Sequence, residues 1–196
     1  MECSMGIESL LRQVVIEPVQ DFHCLSDFHS GIEAMDAFIH GDFQQSVENH
    51  YCSAYSVKHN GELIAIFALS FDSLDLDIDD KENLETFSHG TDKPSIDWNY
   101  QDTFYSKPRY PALDIAYLAV KKEWQRQHVG KFLISQIAEK ARTQSFAGCQ
   151  FLTVESLATK DYSAVGFYES CGFLPSEFKK PNKDTLRMYF TLYALE

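Results

Sequence analysis

The sequence predicts one α/β domain with a mixed sheet, and three observations carry that prediction. Two β-rich runs flank His59-Asn60-Gly61, which reads as an antiparallel hairpin because a type I′ turn needs φ > 0 at both central positions. Pro111 to Val120, a loop, an amphipathic helix and Gln150 to Glu155 read as strand, helix, strand; a right-handed crossover makes such strands parallel neighbours. Leu186 to Leu195, rich in Tyr, Phe and Leu, reads as a closing strand. The 196 residues are 44% hydrophobic and 14% aromatic, enough to build a full core. No repeat, low-complexity tract or long linker divides them, so the expectation is a single domain over residues 1–196.

The opening elements follow from local pattern. Val14 to Val19 is a short strand closed by Pro18. Ser30-Gly31-Ile32-Glu33 has the Ser-x-x-Glu form of a capping box. Met35, Phe38, Ile39, Phe43 and Val47 then make one apolar stripe, read as a helix of about four turns. Leu63 to Leu69 is nearly continuous apolar, which predicts a strand buried on both faces. Between the third and fourth strands, Asp72 to Arg109 holds ten acids against four bases and reads as a solvated acidic insertion. Its Asp75-x-Asp77-x-Asp79 run resembles a calcium loop but lacks the required glycine and the final glutamate, so no metal site is expected. Trp98, Tyr100, Phe104 and Tyr105 suggest that its later part packs onto the domain or lines a cleft.

Composition limits the partners. Seventeen bases against 29 acids give a net charge of −12, which argues against nucleic acid as main partner and would attract cationic amines. Five scattered cysteines without metal spacing read as reduced thiols, and the apolar runs are too short for a membrane span, so a cytoplasmic protein is expected.

Two stretches carry chemistry. Strand residues Leu118-Ala119-Val120 lead into Gln125-Arg126-Gln127-His128-Val129-Gly130-Lys131 at a helix start, where unpaired amides and partial positive charge suit a pyrophosphate. Downstream lies Asp161-x-x-Ala164-x-x-Phe167-Tyr168, then Gly172-Phe173, in a short helix with Asp161 as its expected cap. Together the two motifs, in this order and spacing, resemble the GCN5-related N-acetyltransferase (GNAT) superfamily, whose members carry Arg/Gln-x-x-Gly-x-Gly/Ala and then Asn-x-x-Ala-x-x-Leu/Phe-Tyr. The resemblance covers most of Val14 to Leu195 and implies a mostly antiparallel sheet flanked by helices, splayed near Leu118. Two positions depart from the pattern: His128 stands for the first glycine, and Asp161 for the asparagine.

By that resemblance, acetyl-CoA is the co-substrate, with Leu118 to Val120 along its pantetheine arm and Gln125 to Lys131 around its pyrophosphate. Asp161 and Phe167 complete the cofactor set, and Tyr168 is the general acid for the departing thiolate; the plainer alternative is a buried structural tyrosine. Asp114, an acid inside an apolar strand, is the candidate general base, against a solvent-facing strand end; Glu155 is the second candidate. The leading acceptor is a primary amine of a small molecule or peptide, and a homodimer is compatible with the sequence. Phe28-x-x-Gly31-x-x-x-Met35-Asp36-x-Phe38-Ile39 and Tyr110-Pro111-Ala112 also resemble acetyltransferase toxins that act on aminoacyl-tRNA, which gives one alternative. A catalytically silent acyl-CoA-binding module is the other.

Overall fold

A computed structural model describes residues 13–88, 100–176 and 184–194. Among these residues seven strands form one sheet: β1 (Val14–Pro18), β2 (Ser53–His59), β3 (Glu62–Asp75), β4 (Arg109–Val120), β5 (Phe151–Leu157), β6 (Leu174–Pro175) and β7 (Thr185–Thr191), in the order β1-β2-β3-β4-β5-β7-β6. The helices are α1 (Glu33–His40), α2 (Phe43–Glu48), α3 (Ile78–Ser88), α4 (Gln101–Ser106), α5 (Val129–Thr143) and α6 (Val165–Ser170). Pairing is antiparallel for β1/β2, β2/β3, β5/β7 and β6/β7, and parallel for β4/β5. The expected α/β class with a mixed, mostly antiparallel sheet is therefore observed. Among the described residues no helix is long and apolar enough to cross a membrane.

The chain divides into two compact units. The first takes residues up to Ser70 together with Ile115–Gln136. Its hairpin turns at Asn60 and Gly61, whose φ values of 49° and 83° are those a type I′ turn requires. Leu25, Phe28, Ile39, Phe43, Ala54, Ile66, Ala68, Tyr117 and Ala119 form its core, and Met35, Phe38 and Val47 pack against them. The apolar stripe is thus core, but the single helix of four turns is two helices. Gly41, among the poorest helix formers, ends α1, and a new turn starts on the Asp42 carbonyl, which accepts from the Ser46 amide at 2.9 Å.

The Ser30/Glu33 capping box does not form. Ile32 occupies the N-cap of α1, with no side-chain cap. Asp36 reaches back instead, its Oδ1 accepting from the Ser30 amide (2.7 Å) and hydroxyl (2.6 Å) and its Oδ2 from the Gly31 amide (3.1 Å). Gly31 adopts φ 77°, which turns its amide toward the carboxylate. Burial pushes the Asp36 carboxyl up, but these three hydrogen bonds outweigh it and hold the group below its ordinary value.

The second unit takes Phe71–Asp114 and residues from Ile137 onward. The described part of the acidic stretch is more than a solvated insertion: β3 runs through Asp72 to Asp75, and Leu74, Leu76, Leu84 and Phe104 are buried with Tyr110, Ala112, Phe151 and Tyr189. Charge per residue misleads here because the leucines recur among the acids and turn inward. Tyr100 is exposed, Tyr105 packs at the edge of this core, and Trp98 lies outside the described residues. The α6 cap also differs from expectation. Ala164 is its N-cap, and Asp161 sits earlier, in an exposed turn closed by Thr159 and Tyr162. Gly172, at φ 88°, ends the segment as the sequence implied.

Asp36 yields a prediction with a definite sign. Asp36→Ala should cost about 2 kcal/mol, seen as a melting temperature lower by roughly 5 °C at neutral pH. Because the folded-state pKa is depressed, that stability is present above the unfolded value near 4 and is lost as pH falls through the folded value. The gap between wild type and variant should therefore close in acid, which melts from pH 7 to pH 3 would check.

Candidate active site

Strand register assembles one polar cluster in the second unit. Asp114 on β4 lies beside Thr153 on β5, and Glu155 on β5 lies opposite Arg187 on β7. Residues 153 and 155 share a face because side chains alternate along a strand. The parallel β4/β5 register covers Ala112–Phe151, Leu113–Leu152 and Asp114–Thr153, after which β4 continues to Val120 and β5 to Leu157. Asp72, near the end of β3, joins the same cluster.

Arg187, 12% exposed, is the hub. Its guanidinium hydrogen-bonds the Asp72 carboxylate and lies 3.4 Å from Glu155 Oε1 and 3.7 Å from Asp114 Oδ1. The Thr153 hydroxyl is 2.6 Å from Asp72 Oδ2 and 3.2 Å from Asp114 Oδ1. Burial pushes Asp72 up, yet the hydrogen bonds from Thr153 and Arg187, with the Arg187 charge, more than reverse this and hold it below its ordinary range. Asp114 goes the other way. Burial, aided by the charges of Asp72 and Glu155, overcomes Arg187 and pushes it up to about 6. Two carboxyls of one cluster thus part, one held ionised and one poised to exchange a proton near neutral pH.

Tyr168 on α6 is buried, with Phe167 at 5.0 Å and Phe173 at 5.3 Å between ring centroids. Burial raises its phenol well above the ordinary value, with smaller contributions from Tyr162, Cys171 and Asp114, so it is protonated at neutral pH. No hydrogen-bond partner for its hydroxyl occurs among the described residues, although a buried tyrosine usually finds one.

The loop before α5 is built on unusual backbone. Arg126 and His128 adopt φ 60° and 61°, a region non-glycine residues rarely occupy. His128 stands where the motif has glycine and takes the left-handed conformation a glycine there would permit. Gln125 fastens the loop, its Nε2 donating to the carbonyls of Ser30 (2.7 Å) and Val120 (3.0 Å). Gln127 is likewise occupied, donating to the Glu123 carbonyl at 2.8 Å. The first hydrogen bond into α5 runs from the Phe132 amide to the His128 carbonyl (3.0 Å), which leaves the amides of Val129, Gly130 and Lys131 without an acceptor in the helix. Lys121, Lys122, Arg126 and Lys131 set four bases against the single acid Glu123 in this stretch. Free amides beside net positive charge fit a pyrophosphate.

Of the residues singled out from the sequence, Asp114, Glu155 and Tyr168 share the second unit, where Asp114 lies within reach of the Arg187 hub and contributes to the charge around Tyr168. Leu118, Ala119 and Val120 end β4 in the first unit, where the Val120 carbonyl already accepts from Gln125. Asp161 is exposed and takes no part in the cluster. Sequence reasoning missed Asp72, Thr153 and Arg187. The available signals were an Arg inside an apolar closing strand and a Thr two residues before Glu155.

The acetyltransferase (GNAT) family matches residues 19–173, which include the α5 loop and Tyr168. The chain belongs to the GNAT family. It is accordingly an acetyl-CoA-dependent N-acetyltransferase. No curated protein matches the sequence. Among solved structures it is similar to a Tyr→Phe mutant of the AtaT toxin bound to the C-terminus of the antitoxin AtaR and acetyl-CoA (18% identity, 92% of this chain and 94% of that one, TM-score 0.62). AtaT complexed with acetyl-methionyl-tRNAfMet is similar over 91% of this chain and 94% of that one, at 20% identity and TM-score 0.61. The KacTA–DNA complex follows with 18% identity, 92% and 94% coverage and TM-score 0.60. At these identities the likeness is one of fold. The expectation that nucleic acid is not a partner gains no support from these structures, two of which hold tRNA or DNA.

The Arg187 hub can be tested by stability alone. Arg187→Met would leave Asp72, Asp114 and Glu155 facing one another without their shared cation. At pH 7 the loss should reach about 3–5 kcal/mol, as for other broken buried ion pairs. Toward pH 5 Asp114, pushed up to about 6, takes up a proton and the repulsion eases, so the gap to wild type should narrow. Thermal melts at the two pH values check both points.

Proposed function

We propose that this acetyltransferase acts on the α-amino group of an amino acid esterified to tRNA. The observation that carries the reading is the fold likeness, along nearly the whole of both chains, to AtaT held with acetyl-methionyl-tRNAfMet. The Phe28-x-x-Gly31-x-x-x-Met35-Asp36 opening supports it, since Asp36 and Gly31 are the residues that shape the turn before α1. The net charge of −12 favours a second reading, a small cationic amine as acceptor.

Bound acetyl-CoA supplies the thioester carbonyl and a thiolate leaving group. The amides of Val129 to Lys131 would hold its pyrophosphate, with Arg126 and Lys131 adding charge and Gln125 keeping the loop in shape. Asp114 takes a proton from the acceptor ammonium, which has no lone pair until it does so. The N–C bond forms, the C–S bond breaks and Tyr168 gives its proton to the sulfur. Tyr168 is restored by the second nitrogen proton, and Asp114 passes its own to solvent, so one proton is released per turnover. Asp114 suits the base role better than Glu155. Both Glu155 oxygens are engaged, Oε2 by Thr185 at 3.1 Å and Oε1 by Arg187, whereas Asp114 Oδ2 has no partner among the described residues.

Incubation with acetyl-CoA and a panel of aminoacyl-tRNAs, beside the free amino acids and small amines, tests the acceptor. The proposal expects acetyl-aminoacyl-tRNA; transfer to free amines with charged tRNA inert would overturn it. Gly130→Asp would bring a carboxylate into the amide cradle and should weaken acetyl-CoA binding about tenfold or more, read by calorimetry. Tyr168→Phe should keep that affinity while kcat drops about 10²-fold. Wild-type kcat should fall as pH drops through about 6, where Asp114 becomes protonated, and Asp114→Asn should lose this limb along with most activity.

A further inference from the structure

Asp72 and Thr153 have no place in the mechanism above, yet Thr153 touches the group proposed as its base and Asp72 touches Thr153. Thr153 is fully buried and carries one hydroxyl hydrogen between two carboxyls. Asp72 Oδ2 is the nearer at 2.6 Å, against 3.2 Å to Asp114 Oδ1, and Arg187 keeps Asp72 ionised and therefore acceptor-only. The hydrogen accordingly belongs to Asp72, and the lone pairs of Thr153 Oγ1 are left for Asp114. An ionised Asp114 gains little from an oxygen lone pair. Once protonated, it can donate to that oxygen.

We propose that Asp72 and Thr153 are positioning residues for Asp114: the Thr153 hydroxyl, committed to the Asp72 carboxylate, turns a lone pair toward Asp114 Oδ1 and so favours and orients the carboxylic acid that forms when Asp114 takes the acceptor's proton. The inference rests on the reading of Asp114 as base. The proton leaves the acceptor nitrogen and bonds to an Asp114 oxygen; the resulting carboxylic acid donates to Thr153 Oγ1 until the proton leaves to water. No other bond changes. Asp114 is faced by Asp72 from β3, Thr153 and Glu155 from β5, Arg187 from β7 and Tyr168 from α6, so the chain Asp114–Thr153–Asp72 crosses three strands.

The test uses Thr153→Val, Thr153→Ser and Asp72→Asn in the full chain, with two readouts. One is carbon-13 NMR of the Asp114 carboxyl against pH, which needs no activity; the other is kcat against pH. Asp72→Asn removes a negative charge and frees Arg187 for Asp114, so the Asp114 titration should move down by roughly one pH unit and the kcat limb should move with it. Thr153→Val keeps the shape and removes the oxygen, so kcat should fall about tenfold or more with acetyl-CoA affinity unchanged. Thr153→Ser should restore kcat, which separates orientation from packing. Wild-type titration and kcat in both Thr153→Val and Asp72→Asn would overturn the coupling while leaving the base role intact. A fully active Asp114→Asn would remove the base role, and the positioning role with it.

Discussion

The charge of Arg187 is the constraint on which the second unit's polar face depends. Three carboxyls converge on one guanidinium, and a single positive charge cannot neutralise three negative ones in a partly buried place. The arrangement is tolerable only if one acid gives up its charge easily. Asp114 is that acid, because burial acts on it more than Arg187 does, whereas Asp72 keeps the closest contact and stays ionised. An imbalance that would be a defect in a purely structural cluster therefore creates a group able to exchange protons near neutral pH.

The α5 loop shows a different kind of cost. Two non-glycine residues in left-handed backbone carry roughly 1 kcal/mol of strain each, and the loop accepts it at Arg126 and His128. Gln125, with its two hydrogen bonds to backbone carbonyls, is the clamp that makes the strained path stable. The departure from the family's glycine thus changes the side chain at a position whose backbone is left-handed, and the helix start keeps its free amides. The free amides belong to the backbone, so they survive a substitution that a motif search counts as a mismatch.

What could be read from the sequence follows the range of the interactions. The Asn60-Gly61 hairpin, the α5 stripe and the strand ending in Glu155 rest on contacts a few residues apart, and each was visible in spacing. Tyr168 and Asp114 were visible because one belongs to a motif and the other is an acid in an apolar strand. The hub was not, since Asp72 and Arg187 are 115 positions apart and meet only through the order of the strands. Asp72 was also hidden by its neighbours, because ten acids in one stretch look like a solvated surface, and only the backbone reveals that β3 continues through it. Ser30 and Glu33 misled for a related reason. They satisfied a local pattern, but the Asp36 carboxylate took the Ser30 amide that Glu33 would have capped, together with the Ser30 hydroxyl and the Gly31 amide.

Net charge is a weaker guide to partners than its arrangement. A total of −12 describes the far field, which salt screens within about 8 Å at physiological ionic strength. At contact distance, local charge decides, and Lys121 to Lys131 holds four bases against one acid beside open amides. Even with Lys121 paired to Glu62 at 3.0 Å, Lys122, Arg126 and Lys131 outnumber Glu123 for an anionic ligand approaching that loop. The acidic total therefore bears on how fast a large polyanion would associate, by slowing its approach, rather than on whether a phosphate can be held once there. For tRNA the overall charge predicts an association rate that rises with added salt at first, as the long-range repulsion is screened, before contact-range attraction is screened as well. A purely attractive basic surface would show a monotonic fall, and stopped-flow binding across ionic strength distinguishes the two.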